Sequence, residues 1–192
     1  MAKKELPLLL VEDQLAFEAW LEENHAVSDG IWLQIAKKGS CVETVTYAEA
    51  VESALCYGWI DSQKKAYDEQ LWLQRFTPRG RDSVWSEVNK VKAEELLAAG
   101  RMKPSGVAAV EAAKASGRWV QAYAPQSRAE VPEDLAAALA ARPKAKAFFE
   151  TLDSANRYAV LYRVGSAKRA ETRRKRIEKY VEMLERGEKI HQ

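Results

Sequence analysis

The chain has 192 residues, 47% of them hydrophobic and 30% charged, with a formal net charge of +2. That is the composition of a folded globular protein, long enough for one full core or for a medium domain followed by a small one. No apolar run approaches the roughly 20 residues that cross a bilayer as a helix, which excludes a transmembrane helix.

The small total charge hides an asymmetry. Residues 1–100 carry 11 Lys and Arg against 17 Asp and Glu, a balance of −6, whereas residues 101–192 carry 19 against 11, a balance of +8. Such halves either dock on each other or leave the basic half to face an anionic partner. The opening MAKKELPLLLVEDQ has an apolar run too short for a secretory signal and no small-residue cleavage site, so the cytoplasm is the expected compartment. Two cysteines, Cys41 and Cys56, fall in different expected elements and read as reduced thiols.

Asp13 begins the first expected helix, in which Leu15, Ala16, Trp20 and Leu21 recur at helical spacing up to Asn24 and His25. The alternation of Ile31, Leu33 and Ile35 between Gly30 and Gly39 predicts a strand. Thr46 and Glu49 form a capping box, so a helix follows from Tyr47 to about Cys56 and stops at Gly58. WIDSQKKAY and QLWLQRF then read as two more strands, joined by a turn near Asp68 and Glu69. A helix capped by Ser83 is expected to bury Val84, Val88, Val91 and Leu96 before Gly100, and Pro104 opens another that ends before Gly117.

The expected fold is therefore α+β: a small antiparallel sheet with flanking helices in residues 1–120, a Pro-containing linker at 121–131, and a small, basic all-helical domain at 132–192. In that last part helices are expected from Pro132 to Ala141, Pro143 to Leu152, Ser154 to about Val164, and Ala170 to Arg186. In the fourth of these, Ala170, Ile177, Val181 and Leu184 should form the buried stripe, with Arg174 inside it, paired or snorkelling.

Several stretches in order, VTYAEAVESALCYGWIDSQ, RFTPR, SVWSEVNK, GRMKPSG, VPEDLAAALAARPKAKAFFETL and SAKRAETRRKRIEKYVEML, resemble the YdeI/OmpD-associated, or bacteriocin-protection, family. The resemblance runs from about residue 12 to Lys189. It implies a stress-protection role and brings no catalytic residues with it. A periplasmic role, which the family name suggests, does not fit the absence of an export signal.

The residues themselves point to one cluster: Trp59, Asp61, Arg75, Thr77, Arg79, Ser83, Trp85 and Asn89. Aromatic walls with fixed donors and one carboxylate suit a small anionic ligand or an acidic peptide segment. Strand alternation puts Trp59 with Asp61, and Arg75 with Thr77, while Ser83 would offer the free amides of a helix start. The expectation is that all these groups converge on one accessible hollow. Against it stands a structural ion pair between Asp61 and an arginine, with the tryptophans as core.

The second candidate is a basic surface of Lys168, Arg169, Arg173 and Arg176, in a run with eight basic and two acidic residues between Arg163 and Lys179. It would meet phosphates without sequence preference, although nucleic acid is the less favoured partner because no binding motif accompanies the run. An enzyme using Asp61 as general base on an anionic substrate is the alternative function. Glu52 and Cys56 share a helix face, where Cys56 reads as buried packing, and His25 reads as a helix end. No cofactor is implied: two His and two Cys at no ligand spacing do not build a zinc site, and GRG at Gly80 is not a phosphate loop.

Overall fold

The computed structural model describes residues 5–125, 128–167 and 169–191. The chain divides into two compact units, Met1–Ala122 and Tyr123–Gln192, each with its own buried cluster. The fold is α+β, with the sheet in the first unit and, among the described residues, four α-helices in the second.

In the first unit, Asp13 caps α1 (Gln14–Asn24) by accepting the Ala16 amide at 2.8 Å. Its buried side chains are Phe17 and Leu21, whereas Leu15, expected in the apolar stripe, is 75% exposed. At α2 (Tyr47–Cys56) the capping box is complete: the Thr46 hydroxyl accepts the Glu49 amide, and the Glu49 carboxylate accepts the Thr46 amide at 2.9 Å.

The strands β2 (Ile31–Ala36), β3 (Trp59–Ala66) and β4 (Leu71–Pro78) form an antiparallel sheet. A two-residue β1 (Leu8–Leu9), not foreseen from the sequence, pairs parallel with β2 and completes the order β1-β2-β4-β3. Asp68 shapes the β3–β4 turn by accepting the amides of Gln70 and Leu71 at 2.8 and 2.7 Å.

Register decides which side chains share a face. Ile31 stands opposite Phe76, Leu33 opposite Gln74 and Ile35 opposite Trp72 on one face; Trp32 opposite Arg75, Gln34 opposite Leu73 and Ala36 opposite Leu71 occupy the other. The first face meets the helices, with the Phe17 and Phe76 rings 5.8 Å apart. Buried side chains from α1 and α2 join the same cluster, as do those of the two helices that follow β4. Leu71 and Leu73 are buried as well, but on the second face and outside that cluster.

After β4 comes α3 (Glu87–Ala98), and its cap is Ser86, not Ser83: the Ser86 hydroxyl accepts the Asn89 amide at 3.1 Å. Ala93 and Leu96 are buried there, while Val84, Val88 and Val91 are exposed. Leu96 follows the helical stripe through 89 and 93, which is out of phase with the valines. Pro104 opens α4 (Pro104–Ala115) against the end of α2, where the Lys103 amide donates to the Cys56 carbonyl at 3.0 Å. A Cβ at Gly106 would lie 2.1 Å from that carbonyl oxygen, and one at Gly58, whose φ is +74°, would lie 2.7 Å from the Ser105 carbonyl oxygen. The GRMKPSG stretch is thus a close helix-to-helix joint.

The second unit packs α5 (Glu133–Ala140), α6 (Pro143–Thr151), α7 (Ser154–Gly165) and α8 (Ala170–Glu185). Its core includes Leu135, Phe149, Val160, Val164, Val181 and Leu184, each large apolar side chain contributing roughly 1.5–3 kcal/mol by leaving water. Asn156 is buried yet fully engaged, donating to Asp153 and the His191 carbonyl and accepting the His191 amide at 2.8 Å, so it fastens the C-terminal segment. Along α8 the stripe is Ile177, Tyr180, Val181 and Leu184, with Arg173 continuing it half-buried; Ala170 and Arg174 are exposed, contrary to expectation. Among the described residues no helix is long and apolar enough to cross a membrane.

Candidate functional site

The eight clustered residues do not surround one hollow. Trp59 and Asp61 share a face, as alternation requires, and so do Arg75 and Thr77; the pairings Asp61 with Phe76 and Ile60 with Thr77 put the two pairs on opposite faces of the sheet. Trp59 is core, 1% exposed, edge-on to Trp20 at 5.8 Å, with its indole N–H donating to the His25 carbonyl at 3.2 Å. Asp61 accepts the Tyr47 hydroxyl at 2.7 Å rather than a guanidinium. Asn89 serves the first turn of α3 through its backbone amide.

What does converge is Arg79, Ser83 and Trp85. Arg79 lies flat on the Trp85 ring, its guanidinium carbon 3.6 Å from the centroid, and donates to the Val84 carbonyl at 3.3 Å. Ser83 closes a turn by accepting the Gly80 amide and donating its own amide to the Gly80 carbonyl, both at 3.0 Å. Trp85 is itself buried, edge-on to Trp119 at 4.8 Å.

These residues wall a hollow of about 420 Å³ whose floor is the small-residue face of α4, Ala109, Ala112, Ala113 and Ala115. Arg81 and Arg118 join Arg79 on its rim, and Arg118 bridges Asp82 at 2.6 Å. Lys90 and Lys114 lie 5.7 and 5.9 Å from the Trp119 ring nearby. Sequence reasoning missed Arg81, Arg118 and the alanine floor. The repeated Arg–aromatic neighbours at Arg118 and Trp119 are a weak signal, and only the return of the chain through α4 brings them to Arg79.

A second hollow of about 290 Å³ is lined by Glu18, Cys56, Tyr57, Arg101 and Lys103 among others. Its charges are mutually satisfied. Glu18 accepts the Ser53 hydroxyl at 3.0 Å and Arg101 at 3.2 Å; Arg101 also contacts Glu52, which Lys92 bridges at 3.4 Å. Desolvation by burial pushes the Glu52 carboxyl up, but Arg101 and Lys92 together hold it below its ordinary value. Burial pushes the Cys56 thiol up to about 11, so the Glu52 and Cys56 pair is a packed joint with no base to spare. His25 holds its helix end, Nδ1 lying 2.8 Å from the Leu21 carbonyl oxygen.

In the second unit, Lys168 lies outside the described residues, and Arg169 is the exposed residue preceding α8. Arg173 forks onto Asp134 at 2.5 and 2.8 Å and donates to the Val164 carbonyl at 3.1 Å. Arg176 donates to the Arg163 carbonyl and to the Ser166 hydroxyl at 3.0 Å. Two guanidiniums of the basic run thus close the carbonyl end of α7 onto α8. Among the described residues no three His, Cys, Asp or Glu side chains gather as a metal site.

Comparison with known families gives two matches. Residues 9–109 match a domain of unknown function (DUF8412), and residues 128–187 match the family described as bacteriocin-protection, YdeI or OmpD-associated. No curated protein and no solved structure matches the chain. The C-terminal match associates the chain, at family level, with bacteriocin protection. The chain therefore belongs to the DUF8412 family over its sheet-bearing half, and residues 128–187 after it are similar to the bacteriocin-protection, YdeI or OmpD-associated family.

Proposed function

We propose that the protein is a non-enzymatic binding protein of stress protection, holding a small anionic ligand or an acidic segment of a partner in the hollow rimmed by Arg79, Arg81 and Arg118. The observation that carries this reading is three guanidiniums on one alanine-floored hollow, one of them laid flat on Trp85. A stacked guanidinium keeps a fixed direction, so less side-chain freedom is lost when an anion arrives. Asp82, next to Arg81 in the chain, is paired with Arg118, and Asp61 stands elsewhere against Tyr47. That arrangement holds a charge and offers no base to move a proton, which favours binding over the alternative of Asp61 as a general base.

Each charge-assisted hydrogen bond to the ligand contributes about 1.5–3 kcal/mol, or roughly tenfold or more in affinity. The test is a thermal-shift titration with pyrophosphate and with a tetraglutamate peptide. At least one should raise the melting temperature of the parent protein and leave an Arg81→Ala/Arg118→Gln double variant unmoved. Equal shifts in parent and variant, or none in the parent, defeat the reading.

A further inference from the structure

We propose that the second face of the sheet, the one turned away from the helices, docks single-stranded nucleic acid. Trp32, Arg75 and Lys65 meet there. Arg75 stands directly across from Trp32 on β4, Lys65 stands across from Leu73 on β3, and the Lys65 ammonium lies 4.5 Å from the Trp32 ring centroid. Leu73, 1% exposed and outside the helical core cluster, is the apolar floor beneath these three.

Charge selects the occupant. Of the 18 Asp and Glu residues between 1 and 122, only Asp61 lies in a strand, and it points to the helix side beside Tyr47. The second face therefore presents two cations, an indole and the polar Gln34 and Thr77, with no carboxylate at any strand position. Neither Arg75 nor Lys65 forms an ion pair among the described residues, in contrast to Arg173 and Arg101, which are bound to carboxylates. An acidic peptide would use the cations but leave the indole idle. A polymer that alternates flat rings with phosphates uses both.

Lys65 already occupies the indole face, so a base must displace it. An exposed ammonium–indole contact is weaker than base-on-indole stacking, and the displaced ammonium remains within reach of the flanking phosphate. Neighbouring strands lie about 4.8 Å apart, which sets Arg75 beside the stacked base rather than under it.

The experiment is fluorescence anisotropy of a labelled 12-mer oligothymidylate titrated with the full chain at low salt, with hexaglutamate peptide as competitor. The expected result is saturable binding that weakens about tenfold or more in Trp32→Ala. Arg75→Gln should weaken binding and reduce the slope of log affinity against log salt by about one. Trp32→Phe, which keeps a ring, should stay within a few-fold of the parent. If Trp32→Ala fails to fold by circular dichroism, Arg75→Gln and Trp32→Phe decide. Absence of binding by the parent overturns the proposal, as do unchanged affinity in Arg75→Gln and in a folded Trp32→Ala, or displacement of the oligonucleotide by hexaglutamate at equal charge.

Discussion

Replacing Gly106 by alanine should destabilise the first unit, although in most helices the same change stabilises. In an open helix alanine is favoured over glycine by about 0.8–1.0 kcal/mol. Here the new methyl would sit 2.1 Å from the Cys56 carbonyl oxygen, 2.8 Å from its carbon and 2.9 Å from the Leu55 carbonyl oxygen. All three are backbone atoms, so no side chain can swing aside. Moving α4 outward by about 1 Å forfeits a quarter to a half of the dispersion contact of whatever it packs against. Val110 and Ala113 are the buried side chains concerned. The shift also loosens the Lys103 amide bond to the Cys56 carbonyl. Overpacking costs about 3 kcal/mol at the upper end of its usual range and the bond about 1, so the net loss is about 3 kcal/mol. All six tryptophans lie between Trp20 and Trp119, so urea unfolding followed by tryptophan fluorescence reports the first unit alone. A midpoint equal to or above that of the parent refutes the reasoning.

Ser86→Ala should cost about 1 kcal/mol by removing the cap of α3, whereas Ser83→Ala should leave unfolding nearly unchanged; comparison of their urea midpoints checks the assignment. A thiol reagent at mild alkaline pH should label exposed Cys41 at once and Cys56 only on unfolding, since burial pushes its thiol up to about 11; two equally fast thiols would contradict this. The hydrogen bonds from Arg173 hold the Asp134 carboxyl below its ordinary value, and the Asn156 amide does the same for Asp153. A depressed carboxyl stabilises the fold above the unfolded value, near pH 3.9, and that stability is lost as pH falls through the lower folded value. Acid titration of helicity in Asp134→Asn should therefore show a shallower loss below about pH 3.9 than in the parent; identical curves would contradict it.

The sequence was most legible where chemistry is local. The Thr46 and Glu49 pair, Pro104 and the Gly58 stop act within a few residues, and each stands where it was expected. Strand alternation was equally readable within each strand, but it does not say which residues of neighbouring strands share a face. That depends on cross-strand register, here altered by a bulge between Asp61 and Lys64, and it separated Trp59 from Arg75. Ser83 and Ser86 are both plausible caps by residue type; the turn with Gly80 takes the first and leaves the second to the helix. The valine spacing at 84, 88 and 91 imitated a core stripe because periodicity records hydrophobicity, whereas Trp85 and Ala93 set which side of that segment is buried. Half of the anion hollow was invisible because Arg118 is 36 residues from its partner Asp82.

The arginine hollow is tested most directly by the indole N–H resonances of the full chain during titration with pyrophosphate or tetraglutamate. Trp85 and Trp119 should shift and saturate together while Trp59, sealed in the core, stays fixed, and Arg81→Ala/Arg118→Gln should abolish the movement. Silent Trp85 and Trp119 resonances, or shifts that survive the double substitution, would contradict the account.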